Sequence, residues 1–191
     1  MKFFQPTSEV FVWDGVPAEK ALERTTHLGI CAHQDDLEIL AVHGILECFH
    51  KPGRGFTGVV VTDGAGSARD FEYADYTDDD MKAVRRIEQR KAAYVGEYAA
   101  QVLLDHPSKF VKDAAETRVV DDLVRLLRAT RPEVVYTHNL CDKHDTHIAV
   151  ALRTLRALRQ LEPSERPQKV IGCEVWRDLD WLPDDLKVAL D

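Results

Sequence analysis

The chain of 191 residues is short of several things, and each shortage removes a class of function. It has four cysteines, Cys31, Cys48, Cys141 and Cys173, with no CxxC pair among them. That spacing gives no disulfide framework and no thiolate metal site, so the cysteines read as core fillers of a reduced protein. Met1 to Trp13 carries no basic start, long apolar stretch or small-residue cleavage site, so no secretory leader is expected. No run approaches transmembrane length, and a cytoplasmic location is expected. Cationic residues are in deficit, with 25 Lys and Arg against 33 Asp and Glu, for a net charge of -8. That balance argues against nucleic acid or an anionic membrane as partner, since both reward a basic face. Internal repeats and low-complexity tracts are lacking too.

What remains is an ordinary globular composition, 45% hydrophobic, in a length that suits one domain with a proper core. After an irregular lead-in of about two dozen residues, short apolar runs alternate with helical stretches. His27–His33 reads as a buried strand and Asp36 to about His50 as a helix. Phe56–Thr62 reads as a strand rich in β-branched residues. A glycine-rich acidic stretch from Asp63 to Thr77 is too long and polar for a tight turn and is expected to lie over a functional face. Thr77 and Asp80 resemble a capping box opening a helix that runs to about Ala100. Further strands are expected at Gln101–Asp105, Glu133–His138 and Lys169–Trp176, and further helices at Lys112–Thr130 and His147–Leu161. Continuous apolar strands alternating with helices predict an α/β, doubly wound (Rossmann-like), mostly parallel sheet with helices on both faces. Ligands of such folds gather beyond the carboxyl ends of the strands, where strand order reverses.

Two polar clusters fall at such ends. Ala32-His33-Gln34-Asp35-Asp36-Leu37-Glu38 follows the first strand, and Asp142-Lys143-His144-Asp145-Thr146-His147 follows a later one. Imidazole and carboxylate suit zinc and similar divalent ions. Taken alone, the first cluster reads equally as a helix cap formed by Asp35 or Asp36, and the second as a solvated loop with a cap at Thr146. Their shared position changes the weighing: His33, Asp36 and His147 would give a catalytic metal its three protein ligands, with one place open.

At these residues the chain resembles the LmbE-like, or PIG-L-like, zinc-dependent N-acetylglucosaminide de-N-acetylases. That family carries Ala-His-Pro-Asp-Asp-x-Glu after its first strand and Asp-x-His-Pro-Asp-His after a later one. Here they read AHQDDLE (32–38) and DKHDTH (142–147). VVVTDGAGS (59–67) is similar to the family's strand and glycine turn, and RRIEQRKAA (85–93) to its next helix. The resemblance spans about residues 28–176. It implies that His33, Asp36 and His147 bind Zn2+, with Fe2+ or another divalent ion as alternatives, that Asp35 is the general base, and that His144 polarises the carbonyl or steadies the oxyanion. The implied substrate is a small N-acylated amino sugar or related amide, and a homo-oligomer is left open. The chain departs from the pattern at Gln34, which replaces a proline, at Gly64-Ala65, where Gly-Glu is common, and at Asp145-Thr146, which replaces Pro-Asp. The last change puts Thr146 at the position of the family's metal-supporting aspartate, with Asp145 as a substitute. Family members also continue past the last strand, so Asp184–Asp191 is read as the start of a continuation.

Among other residues, Asp63, Arg69 and Asp105 are candidates for substrate contact. Asp63 serves either substrate or a turn. Trp176 is either a stacking wall with Arg177 or core, and His138 is either a pocket or a strand-end residue. Asp78, Asp79 and Asp80 read as acids complementing a helix N-terminus rather than as a calcium site. The leading reading is a metal-dependent hydrolase removing an acyl group, acetyl in particular. The rivals are a hydratase or lyase built on the same ligands, and a non-catalytic metal-binding domain.

Overall fold

A computed structural model describes residues 1–177 and 179–188. Six strands form one sheet in the order β1-β4-β3-β2-β5-β6. These are β1 (Glu9–Phe11), β2 (His27–Cys31), β3 (Phe56–Thr62), β4 (Ala100–His106), β5 (Val134–His138) and β6 (Lys169–Cys173). All neighbouring pairs are parallel except β1 with β4. The chain steps outward from β2 through β3 to β4, then returns to the other side of β2 with β5 and β6. Strand order therefore reverses between β2 and β5, the place where a doubly wound sheet opens a crevice at its carboxyl edge.

Successive residues of a strand point to opposite faces, and two apolar clusters result. Leu28 and Ile30 of β2, with Val59 and Val61 of β3, face α1 (Ala18–Glu23), α5 (Ser108–Lys112), α6 (Arg118–Thr130) and α7 (Asp145–Arg159). Cys31 and Val60 face α2 (Asp36–Leu40), α3 (Val42–Cys48) and α4 (Asp78–Val95). Both faces are thus covered, which is why the central strands are buried along their whole length. Cys31 and Cys48 are buried, and all four cysteines are unpaired.

The second face explains the placement of α2. Tyr136, Gly29, Gly58 and Gln101 pair in one row across β5, β2, β3 and β4. The two glycines leave a shallow seat in the sheet, and Leu37 fills it: a Cβ on Gly29 would stand 2.7 Å from Leu37 Cδ2, and one on Gly58 2.7 Å from Cδ1. With Leu37 seated, its neighbour Asp36 is carried to the sheet's carboxyl edge.

Several element boundaries differ from the sequence expectation. The lead-in contains β1 and α1, the former too short to show a period. The helix after β2 breaks at Ala41 (φ -112°, ψ 17°) into α2 and α3. Helix α4 opens on the Thr77/Asp80 capping box but stops at Val95, with Gly96 as its cap. The helix expected over Lys112–Thr130 starts only at Arg118, and Lys112 ends α5 instead, because Asp113 accepts the N–H of Ala115 and Glu116 that of Arg118. Such side-chain bonds compete with the helical ladder. In the segment read as a continuation, Asp184–Leu186 makes one 3-10 turn, and residues 189–191 lie outside the described residues.

The glycine seat is testable. A Cβ on Gly58 would lie 2.5 Å from Gln101 Oε1 as well as close to Leu37. Gly58→Ala is expected to destabilise the fold by about 1–3 kcal/mol, the usual cost of overpacking. Urea unfolding should show a lower midpoint at an unchanged slope; an unchanged midpoint would refute the seat.

Candidate active site

The crevice between β2 and β5 holds both polar clusters. His33 Nδ1 lies 3.1 Å from His147 Nε2 and 3.4 Å from Asp36 Oδ2, and His147 Nε2 lies 3.5 Å from the same oxygen. Donor atoms bound at 2.0–2.2 Å to a tetrahedral zinc ion stand about 3.3 Å from one another. The three donors thus have the chemistry and the spacing that one divalent ion requires.

Hydrogen bonds fix which ring nitrogens offer lone pairs. Carboxylates only accept, so the 3.0 Å contact of Asp142 Oδ2 with His147 Nδ1 puts the ring proton on Nδ1 and leaves Nε2 free to ligate. Burial, with His138 close by, lowers the His147 pKa to about 4, which keeps it neutral near physiological pH. Asp142 stays ionised: burial raises its pKa, but the N–H groups of His144, Trp176 and His147 outweigh that and lower it. The residue that orients His147 is therefore Asp142, the first residue of the second cluster, and neither Thr146 nor Asp145. Asp145 is exposed and pairs with Lys112 at 3.1 Å.

His138 belongs to the site but differs in role. It is buried and stacks on His147 with ring centroids 4.0 Å apart. Its Nε2, though 3.3 Å from Asp36 Oδ2, accepts the N–H of Ala32 at 2.8 Å, so that lone pair is engaged with the backbone. His138 braces the peptide before His33 and the ring of His147. His144 caps α7 by accepting the N–H of Thr146 on Nδ1, which leaves the proton of the neutral ring on Nε2 as a donor.

Asp35 holds no place among the converging donors. It occupies the N-cap position of α2, yet its side chain makes no capping bond, and its backbone is left-handed with φ 79°. That conformation costs a residue with a side chain about 1–2 kcal/mol. Its carboxylate is exposed and meets Arg85 Nη2 at 2.8 Å. A cavity of about 670 Å³ opens here, its wall including His33, Asp35, Asp36, Arg85, His144, His147 and Trp176. Trp176 is half-exposed; its ring stacks over His147 and its indole N–H donates to Asp142 at 2.9 Å.

Asp63, Arg69 and Asp105 lie outside that wall. Asp63 is buried and accepts the N–H of Ala65, which shapes the glycine turn. Arg69 pairs with Asp78 and donates to Ala65 O. Asp105 pairs with Arg86 at 3.1 Å on the β1 side of the sheet. Residues that sequence reasoning gave no role, Arg85, Glu88 and Lys112 among them, line the cavity instead. For Arg85 and Glu88 the only signal was the resemblance of 85–93 to a family helix; Lys112 had none.

Residues 28–158, more than two thirds of the chain, match the PIG-L family, described as GlcNAc-PI de-N-acetylase. The chain belongs to that family. No curated protein sequence matches it. Among solved structures, the N,N'-diacetylchitobiose deacetylase of Pyrococcus horikoshii is 19% identical at a TM-score of 0.62, covering 78% of this chain and 60% of its own. A conserved protein of Thermus thermophilus is 18% identical at 0.58, covering 78% and 66%. The 4-carboxy-2-hydroxymuconate hydratase of Pseudomonas putida is 20% identical at 0.57, covering 78% and 62%. These likenesses show a shared fold, and the chain spans less than two thirds of each of those structures.

The support given by Asp142 is testable. Asp142→Ala is expected to weaken zinc binding about 10- to 100-fold, the usual effect of removing a ligand's carboxylate partner. Asp145→Ala should leave it within about twofold. Competition against a chelator measures both, and equal losses would refute the assignment.

Proposed function

We propose that this PIG-L family member is a zinc-dependent hydrolase that removes an acyl group, acetyl in particular, from an amino sugar or similar small amide. The observation that carries the reading is the convergence of His33, Asp36 and His147 at mutual distances of 3.1, 3.4 and 3.5 Å, with a carboxylate beside them that is not part of the set. When bound there, a divalent ion would lower the pKa of a water to about 7 and polarise the acyl oxygen.

The chain's own residues divide the remaining work. Asp35, left free by the cap geometry, accepts the proton of the attacking water and returns it to the departing amine nitrogen. Arg85 holds one oxygen of that carboxylate, Oδ2, at 2.8 Å and leaves Oδ1 to take the proton. His144 offers its Nε2–H to the oxygen on which negative charge develops. Asp142 keeps the His147 ring in one tautomer, and His138 stacks on that ring and holds its orientation. Trp176 lines the cavity, with its ring stacked on His147 and the Lys143 ammonium 4.1 Å from its ring centroid.

Zinc is favoured because two imidazoles and one carboxylate form a borderline donor set, one that iron would also accept. A small solute fits a cavity of about 670 Å³. No helix of the described residues is long and apolar enough to cross a membrane. The four unpaired cysteines agree with a reduced compartment such as the cytoplasm. A hydratase appears among the structural neighbours, so addition of water to a double bond is the rival chemistry.

The test is Asp35→Asn assayed on a panel of N-acetylated amino sugars by release of free amine. Turnover should fall at least about 100-fold while bound zinc stays near one equivalent. Retained activity, or loss of zinc, would overturn the role of Asp35. Silence of the unsubstituted enzyme across the panel would favour the hydratase.

A further inference from the structure

The left-handed backbone at Asp35 needs something to hold it, and the Asp35 side chain does not, since it makes no capping bond. The peptide unit joining Gln34 to Asp35 is instead gripped at both ends from α4. Arg85 Nη2 donates to the carbonyl oxygen of Gln34 at 2.6 Å, and the N–H of Asp35 donates to Gln89 Oε1 at 3.2 Å. Arg85 and Gln89 are four residues apart, so they project from the same face of the helix. The same Arg85 nitrogen reaches Asp35 Oδ2 at 2.8 Å, so one guanidinium fixes the peptide and one carboxylate oxygen together.

Gln89 is itself held. It is 1% exposed, and its amide nitrogen donates to Glu38 Oε1 at 3.0 Å and to Gln101 Oε1 at 3.2 Å. The Tyr98 hydroxyl donates to the same Glu38 oxygen at 2.7 Å. Flipping the Gln89 amide would set its oxygen against two acceptors and its nitrogen against the Asp35 N–H, so one orientation is enforced. Glu38 lies on α2, three residues beyond Asp35, and Gln101 on β4, so the network ties the turn to the helix and the sheet. Gly64 makes room for it: a Cβ there would stand 2.9 Å from Gln34 Oε1 and 3.0 Å from Arg85 Cβ and Cγ.

We propose that Gln89, together with Arg85, is a positioning residue: the pair clamps the Gln34–Asp35 peptide and so fixes the direction of the Asp35 carboxylate relative to His33, Asp36 and His147. Neither residue takes a proton in this scheme; Gln89 acts wholly through Asp35. The inference rests on the reading of Asp35 as the base, and its test separates the two.

The zinc-loaded full chain is compared with Gln89→Ala for kcat and KM on the N-acetylated amino sugar it turns over, for bound zinc, and for hydrogen exchange of the Asp35 amide. Gln89→Ala should lower kcat about 10- to 100-fold, as misplacement of a reacting group does, with KM within about twofold and zinc near one equivalent. The Asp35 amide should exchange faster. Added to Asp35→Asn, the substitution should change the residual rate less than about twofold, because both changes act through one carboxylate. An unchanged kcat, parallel loss of zinc, or an equal loss in the Asp35→Asn background would overturn the proposal. If Gln89→Ala does not fold, Arg85→Ala serves, since it removes the one nitrogen that holds both the Gln34 carbonyl oxygen and Asp35 Oδ2; it should lower kcat alone, and an unchanged kcat overturns the clamp. If the unsubstituted enzyme is inactive on every N-acetylated sugar, the functional reading fails. Exchange of the Asp35 amide then decides the clamp by itself, and unchanged exchange in Gln89→Ala overturns it.

Discussion

Three donor atoms, two imidazole nitrogens and one carboxylate oxygen, face one another across gaps of 3.1 to 3.5 Å, an arrangement that crowds electron-rich groups together and has to be held in place. Much of the structure around the crevice serves to maintain it. Asp142 accepts the Nδ1–H of His147. The Ala32 N–H occupies His138, and the stacked rings of His138, His147 and Trp176 fill the space through which an imidazole would rotate away. On the other side, the His33 N–H donates to Asp36 Oδ2 at 2.7 Å and keeps that carboxylate turned inward. Each device is modest alone. Together they assemble the site before any ligand arrives, the condition under which binding free energy goes into chemistry rather than into ordering.

The sheet provides the coarse placement. Reversal of strand order between β2 and β5 brings together segments separated by more than a hundred residues, and the glycine pair under Leu37 sets how deeply α2 lies. These levels act in sequence: topology to several ångströms, side-chain seating to about one, and hydrogen bonding to the remainder.

Legibility in the sequence followed the same gradation. Apolar runs and turn chemistry were enough for the parallel α/β layout and for most helices, because those signals are local. The boundaries that moved, at Ala41, Val95 and Asp113, depend on a break in helix geometry, a glycine cap and an aspartate side-chain bond that average patterns do not resolve. The two polar clusters could be read because each is contiguous and sits at a strand end. Their support could not: Asp142 and Trp176 are 34 positions apart, and Gln89 reaches Asp35 across 54. A glutamine on a helix face carries no mark of which distant peptide it will hold. The family pattern puts the supporting aspartate at Thr146, with Asp145 as its substitute, whereas the carboxylate that holds His147 comes from Asp142, three and four positions earlier.

The glycine-rich stretch between Asp63 and Thr77 contributes cavity wall through Gly64, Gly66, Ser67, Ala68 and Tyr73, but none of the converging donor atoms. Those donors hang from β2, β5 and the helices behind them. Shape and reactivity therefore come from separate stretches of the polypeptide, joined chiefly where Gly64 abuts Gln34 and Arg85. Beyond that joint, substitutions from Gly66 to Tyr73 would reshape the cavity wall without moving any of the converging donors, so the shape of the cavity can be altered apart from its chemistry. In engineering terms the loop is a replaceable mould set over a fixed die.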